Sequence, residues 1–201
     1  EDNRKEGEGG QTDVAGIYAH VLLEAWEITG DAKYLRLAQR FSHRAILDPL
    51  LRHEDKLTGL HANTQIPKIV AAARAYEIDG DPRQRGIAEF FWRTVSGHHA
   101  YCTGGTSDYE LFGRPDHLAG RLSGHSHECC CSYNMLKLTR HLYQWTPQAR
   151  YFDYYERTLL NHVMAQQHPR TGMFTYMTPL LAGEARAYSK PFDDFWCCVG
   201  T

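Results

Sequence analysis

The residues best equipped for chemistry fall into two clusters. Glu128-Cys129-Cys130-Cys131 follows His125 and His127 and stands directly before a helical pattern, and Cys197-Cys198 follows Trp196 near the end of the chain. With Cys102 these are all six cysteines. Adjacent cysteines rarely bridge one another, and a disulfide-stapled domain spreads its cysteines over separate loops. Clustered thiols beside a carboxylate suit a soft divalent metal instead. Two thiolates from one segment, with a thiolate and a carboxylate from another, complete a four-ligand zinc site. Neither cluster has the Cys-x-x-Cys spacing of a zinc knuckle. The competing reading is buried free cysteine acting as a small hydrophobe, and that is the expectation for Cys102 and Cys129.

Helices must carry these clusters. Val14 to Ile28 has a helical period, with Ile17, Val21, Leu22, Ala25 and Ile28 on one face. It stops at Thr29-Gly30-Asp31, where Gly ends one helix and Asp caps the next. Tyr34 to Phe41 continues as a second helix that runs out before Pro49. The pattern returns with Ile66 to Ile78, a Gly80-Asp81-Pro82 turn, and a helix marked by Ile87, Phe90, Phe91 and Val95. It returns again with Met135 to Trp145, a Thr146-Pro147-Gln148 turn, and Tyr151 to Met164. Gly30 and Gly80 lie 50 residues apart, Gly80 and Pro147 67 apart. The added length falls between about His98 and His127, and a long insertion on a helical scaffold is usually a functional loop. Helical hairpins repeated at this length predict a mainly α chain, an α/α barrel or a helical solenoid. After Pro169, residues 172–178 and 185–189 read as short strands around Gly183, a β-hairpin that delivers the chain to Cys197. Residues 1–13, polar and Gly-rich, read as a loop or frayed end.

Composition excludes several classes. The 201 residues are 42% hydrophobic and 23% charged, with a formal net charge of -2, as in an ordinary globular domain. Basic residues are scattered, so no nucleic-acid footprint is visible. No apolar run approaches the ~20 residues that span a bilayer, and no membrane partner is expected. Residue 1 opens on Glu-Asp-Asn-Arg-Lys without a signal-peptide core. The N-terminus is read as missing, and cytoplasmic and periplasmic locations both stay open. The 12 Tyr and 4 Trp are platforms with a polar tip, suited to sugars and to helix packing alike.

Five segments in order carry a resemblance. They are 60–68 (Leu-His-Ala-Asn-Thr-Gln-Ile-Pro-Lys), 101–107 (Tyr-Cys-Thr-Gly-Gly-Thr-Ser), 128–138 (beginning Glu-Cys-Cys-Cys-Ser-Tyr-Asn), 154–157 (Tyr-Tyr-Glu-Arg) and 195–201 (Phe-Trp-Cys-Cys-Val-Gly-Thr). Together they resemble the β-L-arabinofuranosidase group, glycoside hydrolase families 127 and 146, from about residue 14 onward. The resemblance implies an (α/α)6 barrel whose pocket holds Zn2+ on a Glu-x-Cys pair and a later Cys-Cys pair, which map to Glu128, Cys130, Cys197 and Cys198. It implies Cys197 as nucleophile and Glu110, the only Glu between the Thr-Gly-Gly motif and Glu128, as acid/base. It implies His61 as a sugar contact, with an L-arabinose-containing glycan as the partner. The triplet leaves a neighbour of Cys130 open as the ligand. His20 stands where relatives often carry an acidic residue, which bears on substrate preference. Three hairpins supply about half of six, so residues 1–201 are read as part of a longer catalytic domain.

Read without the resemblance, Glu110 is a solvated loop residue. His61 either contacts a ligand or bonds at the helix start. His125 and His127 are expected on an exposed loop, with orientation of Glu128 as the alternative, and His98 and His99 on the surface. Tyr133 and Trp196 either wall a pocket or pack. Two other functions stay open: a non-catalytic helical repeat with a structural zinc, and an α/α-barrel lyase or epimerase.

Overall fold

The computed structural model describes residues 15–200, with side chains from residue 18; the reading of residues 1–13 lies outside them. The chain divides into two units, one of residues 1–56 with 64–93, the other of 57–63 with 94–201.

In the first unit α1 (Ala15–Thr29) and α2 (Ala32–Arg40) pack as a hairpin. Gly30 takes a left-handed φ of 68° and Asp31 accepts from the backbone N–H of Lys33 at 2.9 Å, the expected stop and cap. Gly80 (φ 71°) and Asp81, which accepts from Arg83 N at 3.0 Å, repeat the device between α4 (Ala62–Asp79) and α5 (Pro82–Thr94). Pro82 stands first in α5, where its missing N–H leaves no helical bond unmade.

The buried face of α1 differs from the expected one. Ala19 and Leu23 are buried, while Val21 is 55% and Ile28 82% exposed. α1 is apolar around most of its circumference, so periodicity does not select a face. The single helix expected up to Pro49 is two: α2 ends at Arg40, and α3 (Arg44–Leu51) runs across Pro49. The break places His43 inside, where its Nδ1 lies 2.7 Å from the Lys68 ammonium. On α4, Ile66, Ile69, Val70 and Ala73 are buried.

The second unit positions the chemistry. α6 (Cys129–Trp145) begins six residues earlier than the periodic stretch that announced it and carries all three clustered cysteines in its first turn. α7 (Ala149–Thr158) packs beside it and passes into a π-helical turn at Leu159–Val163 and a 3-10 turn at Met164–Gln166. Met135, Leu138 and Leu142 of α6 and Tyr151 and Tyr154 of α7 are buried.

The expected β-hairpin is not formed. Among the described residues there is no strand, only single antiparallel bridges, including Thr175 with Tyr188. Residues 166–178 divide their backbone bonds among several partners instead. His168 N donates to Met173 O, Ser189 N to Phe174 O, and Thr178 N to His127 O. A ladder needs one partner strand; here the same stretch ties the end of α7, residue 189 and the segment before α6 together. No helix is long and apolar enough to cross a membrane among the described residues.

Candidate metal and catalytic site

Glu128 is the N-cap of α6 (φ -79°, ψ 131°), yet its carboxylate makes no capping bond. It turns inward: Oε2 accepts from the Cys131 thiol at 3.4 Å and Oε1 faces Cys197 Sγ at 3.9 Å. The helix N-terminus still favours the negative charge placed there. Cys130, one position further from the helix start than Cys129, points at the second cluster. Its Sγ lies 3.5 Å from Cys198 Sγ, which lies 3.9 Å from Cys197 Sγ. Cys197 and Cys198 open a 3-10 turn ending at Val199, after Trp196.

One ligand atom from each of Glu128, Cys130, Cys197 and Cys198 lies within 4.8 Å of all the others. A tetrahedral zinc with Zn–S of ~2.3 Å has S···S edges of about 3.8 Å, and the two sulfur separations bracket that value. Burial, then the neighbouring Cys130, pushes the Cys197 thiol up to about 11. Burial also raises the Glu128 carboxyl, with Glu110 adding to it. Groups driven toward their protonated forms by burial and by one another become thiolate and carboxylate when a cation shares the site. These four residues therefore form a cluster that could hold a metal ion. Cys197 is its exposed member; Glu128, Cys130 and Cys198 are buried.

A second constellation adjoins the first. Glu110 sits in a loop where Ser107, Tyr109 and Glu110 all take positive φ, conformations that cost of order 1 kcal/mol or more each for side-chain-bearing residues. Its backbone carbonyl accepts from Ala62 N at 2.7 Å, at the start of α4. Its Oε2 lies 3.3 Å from His61 Nε2, and its Oε1 accepts from the Tyr176 hydroxyl. Backbone and side chain of Glu110 thus both hold the His61–Ala62 corner. Tyr176 packs against the buried cysteines and meets Trp196 edge-on at 5.9 Å. The bridge between Glu128 and Met177 brings its neighbour Tyr176 there.

Two buried histidines adjoin the start of α6. His127, with φ 51°, is fully buried, and its ring lies 4.8 Å from that of His162. His162 Nδ1 is 2.6 Å from Ser132 Oγ in the first turns of α6. Burial, then Arg186, lowers His127 to about 4, and burial lowers His162 well below its ordinary value. Gly105 makes room for the His127 ring, since a Cβ there would sit 2.7 Å from its Cγ.

Residues 5–201 match the model of the β-L-arabinofuranosidase GH127 catalytic domain. The chain belongs to this family. Solved structures agree on the fold. A GH127 β-arabinofuranosidase matches with TM-score 0.70 and 24% identity, over 92% of this chain and 30% of its own. A GH127 β-L-arabinofuranosidase from Geobacillus stearothermophilus T6 matches with TM-score 0.62 and 21% identity, over 81% and 30%. An inactive variant of an α-1,6-mannanase, GH76A of Salegentibacter sp. HEL1_6, matches with TM-score 0.63 and 17% identity, over 91% and 50%. The GH127 chain thus spans about a third of the length of the β-arabinofuranosidase structures it matches. No curated protein matches it.

Within this GH127 domain, the residues singled out in the sequence come together: Glu128, Cys130, Cys197 and Cys198 in one group, and His61, Glu110 and Glu128 in another. Three expectations are corrected. His127 is buried rather than on an exposed loop, and His99 is buried rather than on the surface. Cys102 is exposed rather than a buried hydrophobe. His99 meets Phe112 edge-on at 5.4 Å, and His127 lies between the rings of Tyr101 at 4.9 Å and His162 at 4.8 Å, contacts that hydropathy does not report. His125 and His98 are exposed, stacked on Tyr109 at 4.4 Å and paired with Asp116 at 3.0 Å. Cys129 is buried, Trp196 half-buried and Tyr133 exposed. Residue type and spacing mark none of Tyr176, His162 and Ser132. The alternation around Tyr176 has the period of a strand, and nothing local marks Ser132 and His162, 30 residues apart, as a pair.

Proposed function

We propose that the chain is part of a longer (α/α)6-barrel catalytic domain that hydrolyses β-L-arabinofuranosides with retention, with Cys197 as nucleophile and Glu110 as acid/base. The observation that carries this reading is the exposure of Cys197 within an otherwise buried Glu–Cys cluster. A purely structural site would bury every cysteine; this one leaves Cys197 exposed, beside a second carboxyl constellation.

Zn2+ on Glu128, Cys130, Cys197 and Cys198 would supply positive charge that keeps the thiols deprotonated near neutral pH. The sulfur of Cys197 attacks the anomeric carbon as the bond to the leaving oxygen breaks, and Glu110 gives that oxygen its proton. The Glu110 carboxylate then takes a proton from water. The water oxygen attacks the same carbon, the C–S bond breaks, and two inversions give retention. Tyr176 fixes one Glu110 oxygen and so aims the other. His61 faces that other oxygen and would touch the sugar. Tyr176 and Trp196 offer ring surface for the sugar's apolar face.

The test is to measure zinc in the purified full-length protein and L-arabinose release from a β-L-arabinofuranoside. Bound zinc with arabinose release supports the reading. A protein with zinc but no hydrolysis would favour a structural site, and hydrolysis unaffected by removing the metal would overturn the role of the cluster.

A further inference from the structure

His61, Glu110 and Glu128 come from three separate segments: the start of α4, the strained loop at 107–110, and the N-cap of α6. One ligand atom of each lies within 4.8 Å of the other two. The His61 Nε2–Glu110 Oε2 separation is 3.3 Å, close to the ~3.4 Å edge of a tetrahedron built on metal–nitrogen and metal–oxygen bonds of ~2.0–2.1 Å. Tyr176 engages the other Glu110 oxygen, so Oε2 is held toward His61. The His61 and Glu110 side chains are 37% and 32% exposed.

Charge gives this geometry a consequence. On the reading proposed above, four singly negative ligands surround one divalent ion and leave two negative charges over. In its ionised form Glu110 brings the excess to three, next to the buried Glu128, where water screens weakly. Such a site draws a further cation.

We propose that His61, Glu110 and Glu128 form a second, inhibitory divalent-cation site, with the Glu128 carboxylate shared between the two ions. The ion sits between His61 Nε2 and Glu110 Oε2. It occupies the two residues assigned to the sugar and to proton transfer, so it competes with substrate. Free zinc therefore both completes the enzyme and, in excess, switches it off.

The experiment uses the full-length protein in equilibrium dialysis against rising free Zn2+, with bound metal and reagent-accessible thiols counted together. The first equivalent shields the clustered thiols. A second equivalent then binds, hydrolysis falls as it does so, and added L-arabinose weakens its binding. His61→Ala keeps the first equivalent and its thiol shielding but binds the second at least roughly 10-fold more weakly; Glu110→Gln serves the same purpose if His61→Ala does not fold. A wild-type protein that stops at one thiol-shielding equivalent overturns the second site alone, as do variants that keep both. No thiol shielding at any zinc concentration overturns the underlying metal reading and this inference with it.

Discussion

Cys130 Sγ and Cys198 Sγ lie 3.5 Å apart although 68 residues separate them. The contact joins the first turn of α6 to the short turn at Cys197–Val199. Cys131, one residue along, points elsewhere and donates its thiol to Glu128 Oε2. The helical rotation of about 100° between Cys130 and Cys131 on α6 turns the second thiol to Glu128 Oε2 while the first faces Cys198.

On the proposed zinc reading, Cys130→Ser should lower zinc content sharply, because it would remove one of four ligands. Cys131→Ser keeps a donor to Glu128 and should leave the metal bound. Zinc per protein chain, measured after dialysis at neutral pH, separates the two. Equal loss in both variants would shift the ligand to the neighbour.

Cys197 and Glu110 should fail differently. On the proposed mechanism, Cys197→Ser would exchange a soft thiolate for a poor alcohol nucleophile and should stop both chemical steps. Glu110→Gln still reacts with an aryl glycoside whose leaving group needs no proton, then stalls because nothing activates water. Mass spectrometry of Glu110→Gln with such a substrate should show one pentose on the Cys197 peptide. Label on Cys198, or full turnover by Cys197→Ser, would reverse the assignment.

The Gly104-Gly105 pair is required by close approach. At Gly104, with φ 91°, a Cβ would lie 1.9 Å from Thr158 Oγ1 and 2.9 Å from the Thr158 Cα. Gly104→Ala should cost about 3 kcal/mol or more, combining overpacking and left-handed strain. Gly105→Ala, pressing on the buried His127 ring, should cost roughly 1–3 kcal/mol. Gly120→Ala, where a Cβ meets nothing within 4 Å, is the control. Denaturant midpoints should fall in that order.

Burial depresses His162 well below its ordinary 6.5. The unfolded chain takes up a proton near pH 6.5 that the folded chain refuses, so the stabilisation is complete above that pH. It is lost as pH falls from about 6.5 toward the folded value, at a slope of up to about 1.4 kcal/mol per pH unit for this one group. Denaturation midpoints at pH 7.5, 6.5 and 5.5 should decline accordingly, and His162→Asn should flatten the decline. A decline unchanged in the variant would assign it to other groups.

Local chemistry in the sequence was enough for the helical hairpins, both Gly-Asp turns and the family. A left-handed Gly and an Asp cap act within a few residues, so their signals survive without tertiary context. The Glu-x-Cys and Cys-Cys patterns named the group of residues that assembles. Tertiary structure decided which face of α1 is buried, because a helix apolar almost all round carries no directional period. It also turned the expected hairpin at residues 172–189 into a tie among several segments, since backbone bonds go to whichever partner the fold presents. The burial of His127, the pairing of Ser132 with His162 and the hold of Tyr176 on Glu110 likewise arise only in three dimensions. Each depends on contacts between residues far apart in the chain, and residue type and spacing carry no record of which distant side chain will arrive.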